Sequence, residues 1–232
     1  MTQPTPIGRV RVRGAASDPD LGPLEAVEAD AEAHAQAVVA VGAEAVAEQA
    51  LSDDSSPILP VSVDDCAGTA QDTLDGAVDA LAAGDYRTVA HPVLGVSVDG
   101  EEVARGVLDV TLMTTEPARI SEYALAADDE RLFDVRADGV VVSTPLGSAG
   151  YGRAAGGPVV APGAGLSVVP VSPFSTRASP WVVPGPLSLS VERDEGEVSL
   201  YVDGAEVGQV SPGESVVVER VGTFTCLRPL AE

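Results

Sequence analysis

The spacing of apolar residues changes near residue 85 of this 232-residue chain, and the change limits the folds that the chain can adopt. Before that point, short apolar runs alternate with stretches rich in alanine and glutamate, which favour helices. The predicted strands are 8–14, 37–42 and 57–63, and the predicted helices are 23–36, 43–51 and 67–84. Strands that alternate with helices are typical of a small parallel sheet with covering helices.

After residue 86 the apolar residues follow a period of two, and Asp-Gly pairs separate the runs. The segment "VSVDGEEVARG" at 96–106 is a strong hairpin signal, and "SLYVDGAEV" at 199–207 repeats it. Successive hairpins predict an antiparallel, layered β-sandwich. We therefore predict an α+β chain with a small α/β domain at 1–86 and a β-sandwich domain at 87–232. The last segment, "FTCLRPL", is expected to cross back to the first domain.

The charge of the chain restricts its environment and its partners. It has 36 acidic residues against 13 basic ones, a net charge of −23, and no lysine. Such a surface is tolerable where salt screens charges over about 3 Å, as at 1 M ionic strength. We predict a cytoplasmic protein of a halophile. Scattered single arginines do not form the basic surface that a nucleic acid or an anionic membrane needs, and no stretch approaches the roughly 20 apolar residues of a membrane span.

The loop "STPLGSAGYGRAAGGP" at 143–158 is small, rich in glycine and nearly uncharged. It offers hydroxyl groups, the aromatic ring of Tyr151 and, just before its strand, the carboxylate of Asp138. Glycines let backbone N–H groups approach a ligand, and such groups favour phosphate or ribose oxygens. A nucleotide is one expected occupant. A glycine-rich corner of a sandwich without any ligand is the alternative that these residues leave open.

The stretch "DGVVVSTPLGSAGYGRAAGGP" at 138–158 resembles the NAD kinase family. The family pattern reads roughly D-G-x-x-x-S-T-P-T-G-S-T-A-Y, a short spacer and then S-A-G-G-P. The chain departs from it at Leu146, Ala149 and Gly150, where the family commonly has threonine, threonine and alanine. Because the matches keep a fixed spacing, the signal is strong.

The resemblance extends over residues 87–228, through the stretch at 168–184 and the "YVDG" turn at 201–204, and is weaker before them. It implies a two-domain fold that holds NAD or NADP between a small α/β unit and a β-sandwich. In the sandwich, the positions implied to contact the dinucleotide are Asp109, Asp138, Gly147, Ser148, Ala149, Gly150, Tyr151 and Ala154. Tyr151 would stack on the nucleotide or bond to it, or alternatively pack only against Trp181.

The catalytic signature of the family, G-G-D-G-T after a strand, aligns with "GAEAV" at 42–46. Glu44 would replace the aspartate that acts as general base on the ribose 2′-hydroxyl. Its longer side chain moves the carboxylate by about 1.5 Å, and a displacement near 1 Å can cost roughly a hundredfold in rate. Glu44 is alternatively a solvated residue in the first turn of a helix, where the helix dipole favours it.

Two further family motifs are altered. The asparagine-glutamate pair that grips adenine aligns with Leu108 and Asp109, so the amide is missing. A glycine-rich family stretch aligns with the region of Asp64 and Asp65, which could ligate Mg²⁺ or could simply be solvated surface.

Two functional hypotheses follow. One is an enzyme that transfers a phosphoryl group from ATP or polyphosphate to the 2′-hydroxyl of NAD in the presence of Mg²⁺. The other is a non-catalytic NAD kinase-like protein that keeps a nucleotide-binding or regulatory role. Under both, the resemblance implies a small-molecule dinucleotide as partner and assembly as a homodimer or homotetramer.

Overall fold

A computed structural model describes residues 4–14, 19–27, 34–62, 69–70, 74–116, 119–128, 130–175, 178–194 and 196–230. The chain divides into two compact units. Residues 1–91 and 224–232 form the N-terminal unit, and residues 92–223 form the C-terminal unit. Within the described part of the chain, every helix is too short or too polar to cross a membrane.

The N-terminal unit is a parallel sheet with two helices. Its elements are β1 (Arg9–Arg13), β2 (Glu25–Ala26), β3 (Ala37–Val41), α1 (Ala43–Leu51), β4 (Ile58–Ser62), β5 (Thr69–Ala70), α2 (Leu74–Ala83) and the start of β6 (Tyr86–Val98). The strands pair in parallel in the order β2-β1-β3-β4, with β5 beside β4. Cys226, near the end of β17 (Ser215–Pro229), pairs in parallel with Ile58 of β4.

The core of this unit forms because strand and helix each present one apolar surface. The buried residues of α2 fall at positions 74, 77, 78 and 81, the spacing of a single helix face. They pack with buried β-strand residues such as Val10, Val39 and Leu59. Strand β3 is buried at four of its five residues, as expected for a strand inside a parallel sheet.

The helix predicted at 23–36 is wrong in the residues that the structure describes. Glu25 and Ala26 form β2 instead, and the Glu25 and Val27 N–H groups bond to Gly8 and Val10 of the β1 region. The unpaired edge of β1 therefore overrides the helix propensity of alanine and glutamate. Residues 28–33 lie outside the described residues. Of the helix predicted at 67–84, Leu74–Ala83 form α2, while Thr69–Ala70 form the strand β5.

The C-terminal unit contains two antiparallel sheets. Its elements are β7 (Glu101–Gly106), β8 (Asp109–Thr114), β9 (Ser121–Ala127), β10 (Glu130–Ala137), β11 (Gly139–Ser143), α3 (Tyr151–Ala154), β12 (Leu166–Val171), β13 (Trp181–Val183), β14 (Leu187–Arg193), β15 (Val198–Val202), β16 (Ala205–Gln209) and parts of β6 and β17. One sheet has the order β13-β12-β11-β8-β15-β16. The other contains β10-β9-β14-β17 and the β6–β7 hairpin. A shared cluster of buried residues such as Leu112, Leu125 and Leu189 joins them, which confirms the predicted sandwich.

Asp-Gly pairs close two of the predicted hairpins. Asp99 and Gly100 join β6 to β7, and Asp203 and Gly204 join β15 to β16, all with positive φ between 49° and 86°. This conformation matches the twist of the flanking strands. Asp138 and Gly139 differ, because they lie where the chain leaves β10 of one sheet and enters β11 of the other.

Candidate functional site

Strand β11 places the glycine-rich loop on one sheet of the C-terminal unit. All five residues of β11 are buried between β8 and β12. The chain then makes a single 3₁₀ turn at Gly147–Ala149 and continues into α3. The Cα register pairs Ser143 of β11 with Asp109 of β8, so their side chains lie on the same face of the sheet. Since Val110 and Leu112 belong to the core, this is the face turned away from it.

The hydroxyl groups of the loop bond within the protein. Thr144 Oγ1 donates to the Val107 carbonyl at 2.7 Å and accepts from Gly147 N at 3.1 Å. Ser148 Oγ donates to the Pro145 carbonyl at 3.0 Å and accepts from Val160 N at 2.9 Å. Both side chains are fully buried. The predicted contact between Ser148 and a dinucleotide stays a prediction, while its hydroxyl has a structural role in the loop.

Close packing accounts for several glycines of the loop. A Cβ on Gly147 would overlap the backbone of Leu108, and one on Gly157 would overlap a methyl group of Val169. A Cβ on Gly152 would lie 2.5 Å from Ser143 Oγ. Only glycine lets α3 and its flanking turns lie this close to the sheet. The loop is therefore packed tightly against the sandwich, and both sequence interpretations, a nucleotide site and a corner without a ligand, stay predictions.

Tyr151 lies within electrostatic reach of two other predicted site residues, Asp109 and Asp138, which flank opposite ends of β11. Tyr151, the first residue of α3, is 40% exposed, and Asp109 and Asp138 are half-buried. Burial raises the pKa of the Tyr151 phenol, and the nearby carboxylates of Asp109 and Asp138 raise it further. Both carboxylates are therefore within electrostatic reach of the same phenol. Trp181, the alternative packing partner considered for Tyr151, lies on β13, the edge strand beyond β12.

The backbone of Asp138 is held on both sides. Its N–H donates to the Val171 carbonyl at 3.0 Å. Its carbonyl accepts from Thr114 N at 2.8 Å and from the Tyr123 hydroxyl at 3.3 Å. Tyr123 is itself fully buried and shares a 2.9 Å hydrogen bond with Thr114 Oγ1. The crossing between the two sheets thus fixes the position from which the Asp138 side chain extends.

The remaining positions predicted from the family pattern lie on the same loop. Gly147 and Gly150 are buried, Ala149 is half-buried and Ala154 is exposed at the end of α3. Leu108, which replaces the asparagine of the family, is 4% exposed, and its carbonyl accepts the Thr144 N–H at 2.8 Å. The positions predicted to contact the dinucleotide therefore lie at the start of β8, just before β11, and in the loop and α3 that follow β11.

Asp203 is a residue that the sequence predicted only as part of a hairpin turn. Its carboxylate accepts three backbone N–H groups, from Val107 at 2.8 Å, Leu108 at 2.7 Å and Asp109 at 3.0 Å. Burial raises the pKa of this carboxyl, and the three hydrogen bonds oppose that shift. The "YVDG" pattern at 201–204 was the sequence signal that marked this residue. It predicts a hairpin turn, but it does not predict that the carboxylate accepts hydrogen bonds from the β7–β8 turn.

Glu44 belongs to the N-terminal unit. It is exposed in the first turn of α1, which follows β3 directly. Gly42 precedes the helix with φ +89°, and no atom lies within 4 Å of the place that a Cβ would take. Ala45, which replaces a family glycine, is buried, and its Cβ lies 2.5 Å from the position of a Cβ built on Gly14. The methyl group thus fills space that a glycine would leave open.

The described residues do not assemble a metal site. Among them there is no group of three or more His, Cys, Asp and Glu side chains that could hold an ion. Asp64 and Asp65, for which the sequence left open Mg²⁺ ligation or a solvated surface role, lie outside the described residues.

Comparison with known proteins identifies the family. The family described as the ATP-NAD kinase C-terminal domain matches residues 108–224, half of the chain, and the protein belongs to the ATP-NAD kinase family. The NAD kinase of Methanopyrus kandleri is 36% identical over 157 residues, which are 65% of this chain and 57% of that protein. The NAD kinase of Chlorobaculum tepidum is 29% identical over 201 residues, 83% of this chain and 71% of that protein. The chain spans 57% and 46% of the length of the Methanopyrus kandleri and Methanosarcina acetivorans enzymes.

Two solved structures share the fold. Yeast NADH kinase complexed with NADH has a TM-score of 0.68 at 14% identity, over 98% of this chain and 85% of that one. The NAD kinase from Archaeoglobus fulgidus in complex with ATP has a TM-score of 0.63 at 20% identity, over 97% and 94% of the two chains. The predicted NAD kinase-like fold is therefore confirmed.

Proposed function

We propose that this protein binds a pyridine dinucleotide, NAD or NADP, on the surface that carries Tyr151, Asp109 and Asp138. The observation that supports the proposal is that the partly exposed phenol of Tyr151 lies within electrostatic reach of two carboxylates, those of Asp109 and Asp138. An aromatic ring with a polar tip can pack on a base or ribose. Carboxylates accept hydrogen bonds from ribose hydroxyls and from amino or carboxamide N–H groups. Membership of the ATP-NAD kinase family points to the same class of ligand.

Phosphorylation of the bound NAD is a second candidate function. The β3–Gly42–α1 connection keeps an exposed carboxylate, Glu44, in the first turn of a helix. In this reaction Glu44 accepts the proton of the ribose 2′-hydroxyl, the 2′-oxygen forms a bond to the terminal phosphorus of ATP or polyphosphate, and the shortened donor leaves. Mg²⁺, which the family resemblance implies, has no ligand cluster among the described residues, so no step is assigned to it.

The altered residues favour binding without turnover. Ala43, Ala45 and Val46 replace the second glycine, the third glycine and the threonine of the family signature, and the Ala45 methyl group packs against Gly14. Leu108 removes the amide that the family uses on adenine. We therefore propose dinucleotide binding, in a nucleotide-binding or regulatory role, as the function that these residues support best, and phosphoryl transfer as the activity to be tested against it.

One experiment separates the two. The protein is titrated calorimetrically with NAD and NADP in roughly 1 M KCl or more, where the Debye length is about 3 Å. In parallel, formation of NADP from NAD is followed with Mg²⁺ and either ATP or polyphosphate. Glu44→Gln is compared with Glu48→Gln, an exposed glutamate of the same helix. Binding without product supports the binding protein, and product that only Glu44→Gln abolishes supports the enzyme. Absence of both binding and product overturns the proposal.

We also propose the setting in which this function operates. The net charge of −23 without lysine supports a salt-rich cytoplasm, and the family resemblance supports a homodimer or homotetramer. Light scattering across a KCl series measures the assembly, and a monomer at every salt concentration would contradict that part of the proposal.

A further inference from the structure

The turn between β7 and β8 connects the half-buried carboxylate of Asp203 to the candidate site. Residues Val107 and Leu108 form this turn, and Asp109 begins β8 directly after it. Asp203 reaches the turn from the β15–β16 hairpin, some 94 to 96 residues later in the chain. Its own N–H donates to the Asp109 carbonyl at 2.9 Å, while the Asp109 N–H donates back to its carboxylate at 3.0 Å.

Two consecutive peptide groups lie between Asp203 and Thr144. In the first, the Val107 carbonyl accepts from Thr144 Oγ1 at 2.7 Å, and the Leu108 N–H donates to Asp203 Oδ1 at 2.7 Å. In the second, the Leu108 carbonyl accepts from Thr144 N at 2.8 Å, and the Asp109 N–H donates to the same Asp203 oxygen at 3.0 Å. A charged acceptor on the N–H side polarises a peptide group and strengthens the hydrogen bond at its carbonyl.

The same turn touches the loop that carries Tyr151. Gly147 packs on the Leu108 backbone without room for a Cβ, and its N–H bonds to Thr144 Oγ1. Displacement of the turn would therefore move Asp109 directly and would disturb the loop through Thr144 and Gly147. These contacts link Asp109, at the end of the turn, to the loop that leads into Tyr151.

We propose that Asp203 is a positioning residue of the dinucleotide surface, which holds Asp109 and the Tyr151 loop in one arrangement through the two peptide groups of the β7–β8 turn. The inference rests on the proposed function for the identity of the ligand, a dinucleotide. The hydrogen bonds that Asp203 makes to the turn do not depend on that function. It explains why the turn carries a carboxylate that accepts three backbone N–H groups. The turn itself needs only a left-handed residue, because Asp203 has φ +49° and asparagine would tolerate that conformation equally well.

The test compares Asp203→Asn with Asp99→Asn. Asp99 is a matched control because it occupies the same position of an Asp-Gly hairpin turn with φ +49°, and its carboxylate accepts the Ser215 N–H at 3.0 Å, away from the β7–β8 turn. The first readout is the ultraviolet titration of the Tyr151 phenol, taken as the difference between each protein and its Tyr151→Phe partner. Because Asp109 helps to raise the pKa of Tyr151, its displacement in Asp203→Asn lowers that pKa. Asp99→Asn leaves it unchanged.

The second readout is the affinity for NADP. Asp203→Asn is expected to weaken binding by about tenfold, because the three hydrogen bonds to a charged carboxylate are replaced by those of a neutral amide whose NH₂ group cannot accept an N–H. Asp99→Asn is expected to bind NADP as tightly as the unaltered protein. If the unaltered protein does not bind NAD or NADP, the proposed function fails, while the Tyr151 titration still decides the role of Asp203. An unchanged titration in folded Asp203→Asn overturns the positioning role.

A second pair of variants tests the same proposal if Asp203→Asn does not fold. Thr144→Val removes the hydroxyl on the carbonyl side of the same peptide groups, and Thr144→Ser retains it. The positioning role predicts a lowered Tyr151 pKa in Thr144→Val and recovery in Thr144→Ser. Equal titrations in these two variants overturn it.

Discussion

The Gly147 backbone packs directly on the backbone of Leu108, with no space for a side chain between them. This contact joins the start of the glycine-rich loop to the end of the β7–β8 turn, where Asp109 begins its strand. The Leu108 backbone is held in place, because its N–H donates to Asp203 and its carbonyl accepts from the Thr144 N–H. The loop and the turn therefore behave as one packed unit beneath Tyr151.

Gly147→Ala is expected to destabilise the protein by about 1–3 kcal/mol, the usual cost of forcing extra volume into a packed region. The added methyl group would overlap backbone atoms, which cannot rotate away as a flexible side chain can. Urea denaturation at constant high KCl measures the free energy of unfolding. Gly208→Ala is the control, because Gly208 lies on β16 with no atom within 4 Å of its Cβ position. Equal stabilities of the two variants would show that the loop can separate from the turn.

Removal of the Tyr151 side chain should weaken dinucleotide binding in two steps. Tyr151→Phe loses a hydroxyl group whose hydrogen bond is worth about 0.5–1.5 kcal/mol, or roughly twofold to twelvefold in affinity. Tyr151→Ala also loses the ring and should bind more weakly still. Calorimetric titration with NADP in high KCl gives both affinities. Val103→Ala, at a 42% exposed position on β7, serves as the control. Unaltered affinity in Tyr151→Ala would remove this residue from the proposed site.

The unfolding free energy should rise with KCl concentration. The 36 acidic and 13 basic residues leave a net charge of −23, and the self-repulsion of such a surface weakens as the Debye length falls. That length falls from about 10 Å at 0.1 M to about 3 Å at 1 M ionic strength. Urea is the suitable denaturant because it adds no ions. A stability that is the same at both salt concentrations would contradict the interpretation of the charge as an adaptation to salt.

Local signals in the sequence predicted the parts of the fold that depend on neighbouring residues. The Asp99-Gly100 and Asp203-Gly204 pairs predicted hairpins, because the required positive φ is a local property of those residues. The fixed spacing of residues 138–158 predicted the loop that brings Tyr151 over the sheet. The helix predicted at 23–36 failed at Glu25 and Ala26, because pairing with a distant strand edge outweighs local propensity.

The inward roles of the loop residues could not be predicted from the sequence. A serine such as Ser148 reads equally well as a ligand contact or as a bond to its own loop, and only the distances to Pro145 and Val160 reveal the second. The reach of Asp203 to Val107 and Asp109 depends on which turns the sandwich brings side by side. Hydrophobic periodicity specifies which face of a strand is buried, but it does not specify that neighbour.

His91 should make the stability of the protein depend on pH below neutrality. Its ring is fully buried 5.8 Å from the ring of Phe224, and both ring nitrogens are without a hydrogen-bond partner among the residues that the structure describes. Burial, with a smaller contribution from the charge of Arg228, lowers the pKa of His91 from 6.5 to about 4. Above pH 6.5 the ring is neutral in both states, so this effect is absent. As the pH falls from about 6.5 towards 4, the unfolded chain binds a proton that the folded protein excludes, and the protein loses about 3 kcal/mol of stability.

His91→Phe, which keeps a ring beside Phe224, removes this part of the pH dependence. His34→Gln, at the exposed second histidine, retains it. Urea denaturation of the three proteins at pH 7, 5.5 and 4 measures the difference, and parallel pH profiles for His91→Phe and the unaltered protein would show that His91 does not titrate in this way.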